Sequence, residues 1–234
     1  EIPLRLVGSE MCIRDRLLTG CALPVMACTG ISATAKDGGY VQARTIEWGD
    51  SYLPSQYVVI PCGHEMISYT PKGMNGAKFR ARYGVVGLSI VLKDFVVEGL
   101  NEAGLSAGLF YFPHYGNYPV YDAKQNTRTV ADLQLVAWML SQFSTIEEIK
   151  AAMQDIRVVP VDTTGASSTV HWRIGDANGR QVVLEFVDGV PCFYENEISV
   201  LTNSPGFPWQ MTNLNNYVNL YPGGAEAHQL GGVT

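Results

Sequence analysis

The chain has 234 residues, of which 47% are hydrophobic and 16% are charged, and its formal net charge is −6 at pH 7. This composition is typical of a globular protein and is sufficient for one large domain with a substantial core. The acidic balance and the lack of a basic cluster argue against nucleic acid or an anionic membrane surface as the partner, and favour a small-molecule substrate.

The segment before residue 28 resembles an export signal. It is an apolar run with a helix-breaking proline, and it closes with Val25 and Ala27 at the −3 and −1 positions that a signal peptidase reads. We therefore expect removal of residues 1–27, which comprise a signal peptide and a non-native extension. The mature protein is then a single domain over residues 28–234, exported to the periplasm or secreted. No later apolar run reaches the roughly 18 residues of a membrane span.

Cleavage after Ala27 would make Cys28 the N-terminal residue. An α-amino group titrates at about 7.7–8.0, so it can take the proton of a thiol near neutral pH. A nucleophile and a base would then reside in one residue, which is the arrangement of an N-terminal nucleophile hydrolase. The alternative is a lipoprotein box ending at Cys21, which would make Cys28 an ordinary buried thiol in a non-catalytic binding module.

Strands joined by tight turns dominate the sequence after Cys28. Glycine-containing turns separate paired apolar segments, a pattern typical of antiparallel hairpins. The predicted strands cover residues 31–35, 40–46, 95–100, 105–111, 171–174, 182–187, 190–194 and 198–202.

Helical periodicity appears in the middle of the chain. Apolar residues at helical spacing predict a helix over residues 129–143, and Ser144 or Thr145 caps a second helix that runs to about Gln154. A third, short helix is expected after Pro208. Strands, a helical pair and further strands of similar composition predict one α+β domain in which helices cover sheet faces.

Four motifs after residue 27 resemble one known family. They are CTGI at 28–31, ARTIEW at 43–48, GLNEAGL at 99–105 and LTNSP at 201–205. In this order and at this spacing they resemble the choloylglycine hydrolase family, which contains bile salt hydrolases and penicillin V acylases. The likeness runs from Cys28 to the last residue.

This resemblance implies an αββα sandwich, the N-terminal nucleophile hydrolase fold, in which two antiparallel sheets lie between helix layers. Because the family has a further arginine past the point where this chain stops, we expect the domain to be C-terminally incomplete. The implied activity is hydrolysis of a linear amide C–N bond without a cofactor. A homo-oligomer, tetrameric in the family, is also among the expectations.

The resemblance also implies roles for five residues. Cys28 corresponds to the nucleophile and Arg44 to a pocket arginine beside it, where a fixed positive charge favours a thiolate. Asn203 would offer its side-chain amide to the oxyanion, and the backbone N–H of Tyr111 would complete the oxyanion hole. Glu47 stands where the family has an aspartate, so its carboxylate would orient the Cys28 amine across one additional methylene.

The sequence leaves the substrate open. A conjugated bile salt, a penicillin V side chain or an N-acyl homoserine lactone would each present the same amide, and pocket shape would select among them. Family frequency favours conjugated bile salts. The four histidines are scattered, so we expect no metal site.

A run of aromatic residues in a loop could have either of two roles. It could form the wall of an apolar acyl pocket, or it could pack into the core like any loop. The residues are Phe110, Tyr111, Phe112, Tyr115, Tyr118 and Tyr121.

Overall fold

The computed structural model describes residues 28–47, 53–161 and 169–218. The predicted signal segment, Cys21 and the last 16 residues of the chain, 219–234, lie outside these ranges.

The first two strands of the described chain belong to a three-stranded antiparallel sheet. Strand β1 (Thr29–Thr34) lies between β2 (Tyr40–Arg44) and β14 (Val200–Thr202). The turn between β1 and β2 contains Gly38 at φ +87°, a conformation that glycine adopts without strain. This hairpin confirms the first predicted strand pair.

A seven-stranded antiparallel sheet forms the centre of the molecule. Its order is β13-β12-β11-β8-β7-β6-β3. The strands are β3 (Ser55–Ile60), β6 (Val85–Ile90), β7 (Val96–Asn101), β8 (Ser106–Tyr111), β11 (Val170–Gly175), β12 (Gln181–Val187) and β13 (Val190–Glu195). Two small sheets accompany it: β4 (Glu65–Ile67) with β5 (Lys78–Arg80), and β9 (Thr129–Ala131) with β10 (Arg157–Val159).

Two helices cover one face of the seven-stranded sheet. Helix α1 (Leu135–Gln142) is buried along most of its length and packs against β7 and β8. Helix α2 (Ile146–Ala152) begins with a capping box, in which the Thr145 side chain accepts from the Glu148 N–H and the Glu148 carboxylate accepts from the Thr145 N–H. This cap confirms the predicted start of the second helix.

The predicted start of the first helix was wrong. Thr129–Ala131 forms β9, which pairs in parallel with β10, and Asp132–Gln134 forms a 3-10 turn before α1 begins. The apolar residues that suggested a helix are buried here in a strand instead. The strand could not be recognised locally, because its partner β10 lies far along the chain. A third helix, α3 (Phe207–Leu214), is present where a short helix after Pro208 was expected.

The three-stranded sheet packs on the other face of the seven-stranded sheet. Gly30 allows this close approach, because a Cβ at that position would lie 2.6 Å from Phe110 Cζ and 2.7 Å from Arg173 Nη1. On the outer face of the small sheet, Ile31 is 50% and Val41 is 60% exposed. The described residues thus confirm an α+β fold with stacked antiparallel sheets. No helix in the described ranges is long and apolar enough to cross a membrane.

Candidate active site

Cys28 directly precedes β1, the middle strand of the small sheet. Cys28 is 6% exposed and packs in a small apolar cluster with Phe110 and Leu201. Because β1 and β14 are antiparallel with Thr29 opposite Thr202, the next pair along the register places Cys28 opposite Asn203. Two residues that are distant in the sequence therefore meet at the end of this sheet.

Arg44 ends β2 and reaches into the space between the two sheets. Its Nη1 donates to the carbonyl oxygens of Leu109 at 2.5 Å and Val97 at 3.2 Å, and its side chain is 6% exposed. Arg44 and Cys28 line the same cavity. Burial lowers the pKa of Arg44, whereas Glu98 and Cys28 act to raise it. The structure thus brings Arg44 beside Cys28, as predicted.

The carboxylate that balances Arg44 is Glu98. Glu98 Oε2 lies 3.7 Å from Arg44 Nη1, and its Oε1 accepts from Arg173 Nη2 at 2.9 Å. Burial raises the pKa of Glu98, against the opposite influence of Arg173 and Arg44. Gly108 leaves room for this carboxylate, since a Cβ there would collide with Oε2.

Sequence reasoning missed Glu98 and Arg173. Each is a charged residue inside an otherwise apolar strand, in VVEGLN and VHWRIG respectively. Charged side chains are seldom buried unless they are paired, so these two charges in buried strands were a usable signal.

Asn203 and Tyr111 meet directly. The backbone N–H of Tyr111 donates to Asn203 Oδ1 at 3.1 Å. The main chain around Asn203 is fixed by Gln210, whose Nε2 donates to the Asn203 carbonyl at 2.9 Å and to the Pro205 carbonyl at 2.7 Å. The two groups predicted to bind an oxyanion are therefore adjacent.

Glu47 lies in the coil after β2 and is exposed to solvent. An ion pair between Glu47 and Arg44 would be the alternative to a role at the Cys28 amine. The ion pair of Arg44 is made with Glu98 instead.

A cavity of about 750 Å³ opens beside these residues. Cys28, Arg44 and Tyr111 line it together with residues that are mostly apolar or aromatic, and the buried carboxyl of Asp132 also contributes to its wall. A cavity of this size and character suits a small organic ligand with a large apolar part.

The aromatic run divides between the two roles considered for it. Tyr111, Tyr118 and Tyr121 line the cavity. Phe110 and Phe112 are buried in the core at 0% and 1% exposure, and Tyr115, at 51%, lies largely in solvent. Within the described ranges, no group of three or more His, Cys, Asp or Glu side chains could hold a metal ion.

Two stacked antiparallel sheets, with helices on the outer face of the larger one, are the part of the predicted αββα sandwich that the described residues form. This sandwich is the fold class of the N-terminal nucleophile hydrolases. The family model for linear amide C–N hydrolases of the choloylglycine hydrolase family matches residues 28–234. The chain therefore belongs to the choloylglycine hydrolase family.

Curated and solved relatives agree with this assignment. The chain is 31% identical over 197 residues to a bile salt hydrolase/transferase from Clostridium perfringens, a match that covers 82% of this chain and 58% of the relative. A crystal structure of a mutant conjugated bile acid hydrolase from the same organism has a TM-score of 0.70 and 28% identity, and the match covers 87% of this chain and 61% of that one. The structure of penicillin V acylase from Agrobacterium tumefaciens has a TM-score of 0.68 and 27% identity, over 81% of this chain and 56% of that one. The chain thus spans somewhat more than half the length of these relatives.

Proposed function

We propose that this protein is a cysteine N-terminal-nucleophile hydrolase of linear amides, with Cys28 as its nucleophile. The observation that carries the proposal is the convergence of Cys28, Arg44 and Tyr111 on one apolar cavity, with Asn203 hydrogen-bonded to Tyr111. Because these residues lie far apart in the sequence, their common location is a property of the fold. The family match, which begins at Cys28, also supports the proposal.

The proposed reaction has two steps. The Cys28 α-amine takes the thiol proton, and the sulfur attacks the amide carbon. The amine leaves with a proton returned by the α-amine, and a thioester remains. Water then attacks the thioester, again losing a proton to the α-amine, and releases the acid and the free thiol.

The remaining groups stabilise charge. The Asn203 side-chain NH2 group and the Tyr111 N–H are the proposed donors to the tetrahedral oxyanion, each worth about 3–4 kcal/mol by analogy with oxyanion holes studied by mutation. In the structure the Tyr111 N–H donates to Asn203 Oδ1, so the proposal requires that it exchange this bond for one to the oxyanion when substrate is bound. Arg44 holds positive charge beside the sulfur. Glu47 is proposed to orient the Cys28 ammonium group, and Glu47→Asp tests whether its extra methylene matters.

The proposed substrates are conjugated bile salts. Four-ring acyl groups are large and largely apolar, as is the cavity, and the names of the curated and solved relatives include bile salt and bile acid hydrolases. Penicillin V and N-acyl homoserine lactones are the alternatives, the first suggested by the similar acylase structure. Export by cleavage after Ala27 and assembly into a homo-oligomer stay predictions.

The test begins with the mature N-terminus. Intact-mass analysis of full-length protein from an exporting host should show a chain that begins with unmodified Cys28, and that protein should hydrolyse at least one of the three amide classes. The Cys28→Ser variant should fold but lose most turnover. A lipidated Cys21, a chain extended before Cys28, or unchanged turnover in Cys28→Ser would contradict the proposal.

A further inference from the structure

A buried histidine and glutamate lie behind the candidate oxyanion residues and take no part in the proposed reaction. His171 is 0% and Glu185 is 1% exposed, and His171 Nδ1 lies 3.0 Å from Glu185 Oε1. On its other side, His171 Nε2 lies 2.8 Å from the carbonyl oxygen of Thr202.

These contacts determine how many protons the pair shares. A carbonyl oxygen can only accept, so Nε2 of His171 carries a hydrogen and donates it to Thr202. The contact with Glu185 needs one further proton, on Nδ1 or on the carboxyl group. In either arrangement the pair has no net charge, which suits a site closed to solvent.

The pair holds both ends of the segment that carries Asn203. The Thr202 carbonyl belongs to the peptide group that leads directly into Asn203, and the bond from His171 fixes its plane. At the other end, Glu185 Oε1 accepts from the N–H of Phe207, the first residue of α3. Asn203 is therefore held between two anchors that depend on one another.

The same imidazole also contacts the strand that carries Tyr111. The Phe112 ring stacks on His171 with centroids 4.3 Å apart and an interplanar angle of 8°, and the Phe110 ring meets it edge-on at 6.2 Å. Phe110 and Phe112 are the two chain neighbours of Tyr111. The His171 ring thus bonds to the backbone that leads into Asn203 and contacts the side chains on both sides of Tyr111 in the chain.

We propose that His171, held by Glu185, is a positioning residue that sets the separation between the Tyr111 N–H and the Asn203 amide. The inference rests on the proposed function, because it assigns His171 to the oxyanion site of the same amidase. Misplacement of an oxyanion donor weakens binding of the transition state more than binding of the ground state, so the loss falls on kcat.

Two amide replacements of His171 separate positioning from simple folding. The amide nitrogen of Gln can occupy the place of Nε2 and still donate to Thr202, whereas Asn is too short and reaches only toward Glu185. We expect His171→Asn to lower kcat by about 10- to 100-fold. The factor by which His171→Gln lowers kcat should be about ten times smaller, and KM should stay within about threefold of wild type in both variants. Leu184→Ala is the control for lost stability. It truncates a core side chain next to Glu185 in β12, and the folded variant should keep its kcat.

The kcat and KM values of the variants distinguish a positioning role from a purely structural one. Equal kcat in folded His171→Asn and His171→Gln, or a loss confined to KM, would overturn the positioning role while leaving the amidase intact. If neither variant folds, Phe112→Leu decides, since removal of the stacked ring should lower kcat several-fold and an unchanged kcat would overturn the inference. A wild-type protein that cleaves none of the three amide classes would overturn the proposed function and this inference together.

Discussion

The backbone N–H of Tyr111 donates to the side-chain oxygen of Asn203 at 3.1 Å, although the two residues are 92 positions apart. Tyr111 ends β8 of the large sheet and Asn203 follows β14 of the small sheet. Their contact therefore joins the two sheets beside the cavity that Cys28 and Tyr111 line. The proposed oxyanion site depends on this contact between Tyr111 and Asn203.

Replacement of Asn203 by Ala should lower kcat by about 10²- to 10³-fold and change KM little, because the lost donor serves the transition state. Steady-state kinetics on a conjugated bile salt would measure the effect. Asn196→Ala is the matched control, since Asn196 is a nearby asparagine that is buried and donates to the Val200 carbonyl, away from the candidate site. A similar loss of kcat in both variants would contradict the assignment of Asn203.

Glu98 should matter more for stability than any exposed carboxylate. Glu98→Gln removes the carboxylate that pairs with both Arg44 and Arg173 among the described residues, and leaves the two guanidinium groups together in a largely buried space. We expect the free energy of unfolding in urea to fall by about 3–5 kcal/mol, as when one partner of a buried ion pair is removed. Glu102→Gln, which alters an exposed carboxylate that accepts from the Gly84 N–H, should cost at most about 1 kcal/mol. Equal losses would show that Glu98 does not balance the arginines.

How far the sequence could predict this structure depended on the range of the interactions. The β1–β2 hairpin and the cap of α2 were predictable because their glycine turn and capping box are encoded within a few residues. The strand Thr129–Ala131 was not, because its partner β10 lies almost 30 residues further along the chain.

The candidate site shows the same division. Cys28, Arg44, Glu47, Tyr111 and Asn203 came from motifs and family resemblance. Glu98 as the partner of Arg44 required the pairing of strands that no local pattern specifies. The pairing of His171 with Glu185 was equally hidden, because a polar residue inside an apolar strand indicates that a buried partner exists but does not say which residue it is.

Gly30→Ala should disturb the contact between the two sheets. The added methyl group would lie within 2.6–2.7 Å of Phe110 and Arg173, both buried, so the strand or its neighbours must shift. We expect a loss of about 1–3 kcal/mol in the free energy of unfolding, typical of overpacking. We also expect a lower kcat, because the centroid of the Phe110 ring lies 4.3 Å from Arg44 Cζ. Gly39→Ala in the neighbouring turn provides the control, since its nearest contact is the flexible Asp37 carboxylate at 3.1 Å. If Gly30→Ala proves as stable and as active as Gly39→Ala, the sheets do not require this close approach.

Asp132 should make the stability depend on pH in the neutral range. Burial raises its pKa from 3.8 to about 7, although its carboxylate accepts from the N–H groups of Leu133 and Val161. Between these two values the folded protein holds a proton that the unfolded chain releases, so the stabilisation is complete below about pH 4 and is lost as pH rises through about 7. Asp132→Asn carries no titrating group but keeps an acceptor oxygen for both N–H groups. Its stability relative to wild type should therefore increase between pH 5 and pH 8, by an amount on the order of a few kcal/mol. Urea unfolding of both proteins at the two pH values measures this difference directly, and parallel stability curves would show that the Asp132 carboxyl does not titrate in this range.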